Sequence, residues 1–132
     1  MELDWNRGAL ADGLRCYRQA EFFEAHEHWE ILWRRSHGPE KSFLQALIQV
    51  AGGFHHLRRS NLRGATALLS AALRRLEAYP ARFEGLDVAQ LRRELGRWLE
   101  ALAAQDLAPA PPYPQLCIAP PASDAAAADK DG

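Results

Sequence analysis

The sequence predicts an all-α protein, a compact bundle of about five helices built on antiparallel helix hairpins, with a Pro/Ala-rich C-terminal tail. Three observations carry this expectation. Apolar residues recur at i, i+3, i+4 and i+7 through long segments, and no alternating run competes with them. Helix-stop and helix-start residues fall between those segments: SHGP at 36–39, Asn61, Tyr79-Pro80, and Asp87 with Gln90. The 132 residues, 48% hydrophobic and 25% charged, suit one ordered domain with a single modest core.

The first helix is expected over residues 5–18, weakened by Gly8 and Gly13. The second covers about 21–36 and stops at SHGP, where Gly38 suits the left-handed position after a helix and Pro39 the first turn of the next. The third, about 39–59, places Leu44, Leu47, Ile48, Ala51, Phe54 and His55 at helical spacing. Asn61 caps the fourth, whose stripe is Leu62, Ala65, Leu69, Leu73 and Leu76 before Tyr79-Pro80 ends it. Asp87 and Gln90 sit like a capping box for the fifth, with Val88, Leu91, Leu95, Trp98 and Leu102 as its stripe. No strand is expected. Proline then becomes too dense for helix. The helical domain is therefore expected over residues 1–107, and an extended to disordered tail over 108–132, with Tyr113, Leu116 and Ile118 lying on the core and the last ten residues disordered.

The formal net charge of −1 gives no global pull toward nucleic acid. Residues 1–54 hold six basic and eight acidic groups, net −2, and residues 55–97 nine and four, net +5. That bias is the size of a solvated helix face. No run of 18 apolar residues predicts a membrane span, and MELDWNRG lacks the layout of a signal peptide. Cys16 and Cys117 form no metal or redox spacing, so a reducing cytoplasm is the expected location.

A faint repeat appears at a shift of forty residues, which lays CYRQAEFFEAHEHWEILWRR over HLRRSNLRGATALLSAALRR. Phe22 meets Leu62, Ala25 meets Ala65, Trp29 meets Leu69 and Trp33 meets Leu73, a pattern like helix-hairpin repeats of the tetratricopeptide kind. In that register His26 falls on Thr66 and Glu30 on Ser70.

The polar pair stands out within FFEAHEHWEILW, residues 22–33. Phe22, His26, Trp29 and Trp33 share one helical face, and Glu30 lies one turn beyond His26. Glu24, His28 and Arg35 fall opposite, and Glu27 at the margin. A carboxylate on an apolar face costs several kcal/mol, on the order of a lost ion partner, unless it is bonded. Folding the chain about residue 38 sets Glu30 level with Ala46 and His26 level with Val50. Gln45, Gln49, Gly52 and His56 form a second stripe on the third helix. If that stripe turns toward the second helix, Gln49 can bond the His26–Glu30 pair, Gly52 and Gly53 leave room, and His55 or His56 closes the cavity.

The pattern His26-x-x-x-Glu30-x-x-Trp33, preceded by FFEAHE and followed by FLQALIQVAGGFHHL and NLRGATALLSAALRRL, resembles a family of small bacterial and archaeal proteins catalogued as domain of unknown function three-zero-nine. The resemblance runs from about residue 17 to 79. It implies an all-helical bundle and a site at His26, Glu30 and Trp33 proposed by analogy to bind metal, and it implies no established reaction.

The residues themselves admit several readings. His26 and Glu30 can be a structural pair that fixes helix packing. They can be a two-ligand fragment for a divalent metal such as zinc, iron or manganese, with Glu27, His55 or, as a weak candidate, His56 as third donor. They can instead, with Gln49, hold a small polar ligand in a pocket walled by Trp33 and Phe22. The class-level alternative is a helical scaffold for a protein partner, met through Arg58, Arg59, Arg63, Arg74 and Arg75. The expected function is thus ligand or metal binding of unassigned purpose. No catalytic nucleophile and no oligomeric state are legible.

Overall fold

The computed structural model describes residues 3–119. Among them are five helices, α1 (Gly8–Arg18), α2 (Phe22–Arg35), α3 (Gly38–Arg58), α4 (Leu62–Leu76) and α5 (Val88–Ala104), with a short ribbon of β1 (Arg82–Phe83) and β2 (Leu86–Asp87) between the last two. The all-α fold class therefore holds. No helix of the described residues is long and apolar enough to cross a membrane.

Local departures from the expected elements have visible causes. α1 begins at Gly8 rather than residue 5 because Trp5 is used elsewhere. Its indole N–H donates to the Glu84 carbonyl at 2.7 Å, and its ring meets Phe43 edge-on at 6.4 Å. Gly38 is the first residue of α3, with φ +61°, rather than a residue after α2. The capping box of α5 is half formed. The Asp87 carboxylate accepts the Gln90 N–H at 3.0 Å, but the Asp87 N–H already donates to the Cys117 carbonyl, so the Gln90 amide turns to Glu94 instead. The ribbon was not expected. Its strands are two residues each, too short to show alternation, and Glu84 and Gly85 turn between them at φ +49° and +84°, as a two-residue hairpin turn requires. Leu62, placed on the α4 stripe, is 46% exposed; Ala65, Leu69, Ala72 and Leu76 carry the buried face.

The forty-residue repeat is physical and extends further than the helices compared in sequence. α1 ends in a turn at Ala20, φ +60°, and α3 in the same turn at Ser60, φ +63°. In the first, Glu21 N–H donates to Cys16; in the second, Asn61 N–H donates to His56, each at 2.8 Å. Gly13 lies against the Trp29 indole, and Gly53, forty residues on, lies against Leu69. Both glycines let a large side chain of the paired helix approach the backbone. The molecule is thus built on two successive hairpins, α1–α2 and α3–α4, with α2 also packed on α3.

The tail segment before residue 120 is fastened to this frame. Tyr113 stacks on Trp98 with centroids 5.8 Å apart and planes 10° from parallel, and packs on Phe22 and Phe54. Tyr17 O–H donates to the Pro114 carbonyl at 2.6 Å, Trp98 N–H to Pro112, and Arg18 to Leu116. Leu116 is buried and Leu86 pairs with Ile118. The expected disorder of the last ten residues lies outside the described residues.

The glycine contacts set a clear expectation for chemical denaturation. Gly13→Ala would drive a methyl into the Trp29 indole, and Gly53→Ala would bring one to 2.7 Å from the Leu69 side chain, so each should lose about 1–3 kcal/mol by overpacking. Gly96, in α5, has nothing near its missing Cβ, and Gly96→Ala should gain about 0.5–1 kcal/mol.

Candidate ligand cleft

The rotation of α2 is set by Trp29. Its side chain is fully buried, fills the space left by Gly13, and donates its indole N–H to the Leu10 carbonyl at 3.2 Å. Phe22 and Ala25 turn inward with it. His26 and Glu30 are thereby carried to the flank of the helix, where their side chains are 29% and 35% exposed. His26 Nε2 stands 3.5 Å from Glu30 Oε2, and the other Glu30 oxygen accepts from Arg34 at 2.9 Å. The second imidazole nitrogen, Nδ1, is buried and has no hydrogen-bond partner. Because buried polar atoms are normally satisfied, that orphaned nitrogen marks the imidazole as unusual.

His26 lines a cleft of about 300 Å³ over α3, with Gln45, Gln49, Gly52, His55 and His56 along its floor and Leu68 of α4 on the far side. The stripe read from the third helix does turn toward α2. A second, wider hollow of about 590 Å³ adjoins it, lined by Glu30, Trp33, Lys41, Ser42 and Arg75. Gln45 and Ile48 line both, so the two meet along one face of α3.

Phe22 stands elsewhere, and Gln49 has another partner. Phe22 is 2% exposed and belongs to the core, 5.4 Å from Tyr17 and 5.5 Å from Phe54 between ring centroids. The wall beside His26 is Phe23, whose ring centroid lies 5.8 Å from His26 and 5.3 Å from His55. Gln49 lines the cleft but accepts from Arg75 Nε at 3.4 Å rather than bonding the His26–Glu30 pair. Trp33 is half-buried, with Lys41 Nζ 4.3 Å above its ring.

The candidate metal set does not close. Among the described residues no three His, Cys, Asp or Glu side chains come together to hold an ion. His56, the weak third candidate, is engaged by Asn61. The Asn61 oxygen accepts the Gly64 N–H, which leaves its amide nitrogen facing His56 Nδ1 at 3.0 Å. The Arg34 guanidinium on Glu30 opposes a cation there as well.

The basic residues suggested for a protein partner are divided. Arg58 donates to the Ala20 carbonyl at 2.6 Å, and Arg75 turns into the cleft, while Arg59, Arg63 and Arg74 are exposed. Sequence reasoning set Arg75 on a protein-partner surface rather than in the cleft, and passed over Ser42 and Lys41 as cleft residues. Folding the chain about Ser60, as was done about residue 38, would have set Arg75 level with Gln45.

The profile of a family described as Domain of unknown function (DUF309) matches residues 10–68, a little under half of the chain. The chain is therefore similar to that family from α1 to the middle of α4, and the family's function is unassigned. No curated protein matches the chain.

The cleft has a titratable member with a definite direction. Burial pushes the His55 imidazole below its ordinary value, and Arg59, His56 and His26 add to the effect against an opposing Glu24. A histidine lowered in the folded state leaves the unfolded chain holding more protons as pH falls, so stability is lost below the ordinary histidine range and retained above it. Melting temperature should drop between pH 7.5 and 5.5, and His55→Gln should flatten that drop.

Proposed function

We propose that the protein binds a small polar ligand in the cleft over α3, with the His26–Glu30 pair as its recognition element. The observation that carries this reading is the buried Nδ1 of His26 without a partner, on an imidazole that lines a cleft and is oriented through its other nitrogen toward Glu30. A pair kept only for packing would satisfy both nitrogens at little cost. Phe23 and Trp33 supply flat apolar walls at the two ends, and Gln45 and Gln49 supply neutral donors and acceptors between them. The unbridged Cys16 and Cys117 suit a reducing cytoplasm as the setting.

A scaffold role is the second reading, and one observation favours it: Phe23 and Ile31 on α2 are 45% and 50% exposed. The two readings separate on variants of the pair. His26→Gln and Glu30→Gln should each change stability by no more than about 1 kcal/mol, the ordinary scale for a partly exposed pair. Compounds that bind the wild-type protein in a ligand-observed NMR screen should bind each variant about tenfold or more weakly. Losses of several kcal/mol, with bound compounds unaffected, would make the pair structural.

A further inference from the structure

Other bonded arginines of this fold either pair with carboxylates, as Arg7, Arg15 and Arg34 do, or donate to backbone carbonyls. Arg92 closes the end of α4 at the Leu76 and Tyr79 carbonyls, Arg18 holds Leu116, and Arg58 holds Ala20. Arg75 is held differently. Its Nη1 donates to Ser42 Oγ at 2.9 Å and its Nε to Gln49 Oε1 at 3.4 Å, two neutral side chains that fix the guanidinium without neutralising it. Its Nη2 has no protein acceptor among the described residues. Lys41 shares the hollow and rests on the Trp33 ring rather than on a carboxylate. Among the described residues no acid lies within ion-pair distance of either cation. Glu30, the acid that lines the hollow, is already engaged by Arg34. The first residue of α3, Gly38, also lines the hollow; no side chain caps that helix start, and Glu40 is the acidic residue of its first turn.

We propose that this end of the cleft recognises an anionic group, a carboxylate or a phosphate, through Arg75, Ser42 and Lys41. The inference rests on reading the cleft as a ligand site and names the ligand class: a small molecule with an anionic head at Arg75 and a hydrogen-bonding part reaching toward His26. A planar guanidinium already oriented by two neutral acceptors binds an oxyanion with little further ordering. Lys41 is the mobile partner, able to leave the Trp33 face and close on the same group. Ser42 can turn its hydroxyl hydrogen to the anion while still accepting from Arg75.

The test is an NMR titration of the full chain with sodium phosphate and, separately, with sodium acetate, each at ionic strength matched by sodium chloride. Saturable shifts are expected at Ser42, Gln45 and the Trp33 indole with at least one anion, and the two arms tell phosphate from carboxylate. Arg75→Gln should weaken that binding about tenfold or more, and Lys41→Gln about threefold, as loss of a charge-assisted contact requires. Should Arg75→Gln fail to fold, Lys41→Gln and Ser42→Ala decide. Shifts no different from those of chloride, or full affinity in the folded variants, overturn the inference. Neutral compounds that need His26 while neither anion binds would overturn this inference and leave the cleft reading standing. Anion binding with no ligand that senses His26 would do the reverse.

Discussion

The seating of Trp29 against Gly13 is the constraint from which the rest of the arrangement follows. An indole pressed onto helix backbone and hydrogen-bonded to Leu10 cannot rotate, so it fixes how α2 presents every other side chain. At about 100° per residue, His26 and Glu30 then fall roughly 60° and 100° to one side of Trp29, and Phe23 about 120°. That side is the one facing the cleft over α3. The same rotation takes Phe22 and Ala25 inward. The imidazole and carboxylate are therefore partly exposed by geometry: they sit at the edge of the buried face, where one ring nitrogen loses water and the other reaches Glu30.

The repeat explains why a cleft exists. The α1–α2 and α3–α4 hairpins use the same turn and the same glycine-to-large-residue contact. α3 packs on both α2 and α4, and one of its faces lies open between them as a floor. The α4 positions equivalent to His26 and Glu30, Thr66 and Ser70, lie on the flank away from the cleft, Thr66 lining a separate hollow with Leu102 and Leu107. α4 contributes Leu68 and Arg75 from other turns. The two sides of the cleft are thus chemically unlike: imidazole, carboxylate and aromatic rings on one, aliphatic carbon and a guanidinium on the other. Such asymmetry favours a ligand with distinct ends, and it lets the His26 and Arg75 regions act on one molecule.

Much of this was legible in the sequence. Helical period, the Asn61 and Asp87 caps and the stop at Tyr79-Pro80 are local signals, and local signals survive folding. The α5 stripe from Val88 to Leu102 is buried as its spacing requires. The stripe of Gln45, Gln49, Gly52 and His56 turned toward α2 because a short connection leaves a hairpin few alternatives. What sequence could not supply was the rotation of α2. Phe22, His26, Trp29 and Trp33 share a face broad enough to hold both core and rim, and which edge is rim depends on Gly13 in another helix. Hence Phe23, not Phe22, flanks the imidazole. Gln49, which could have bonded the His26–Glu30 pair, accepts from Arg75 instead for a related reason: Arg75 comes from the second hairpin, and its approach is a tertiary fact. Trp5 left its helix for Glu84, a contact across most of the chain.

The central claim is that the Trp29 seat turns His26 toward α3. Side-chain NOE spectroscopy at neutral pH tests it most directly. The account predicts cross-peaks from the Phe23 ring to both His26 and His55, together with contacts between the Trp29 indole and Gly13. A Phe23 ring that shows no NOE to His55 across the cleft, while Trp29 shows none to Gly13, would contradict it.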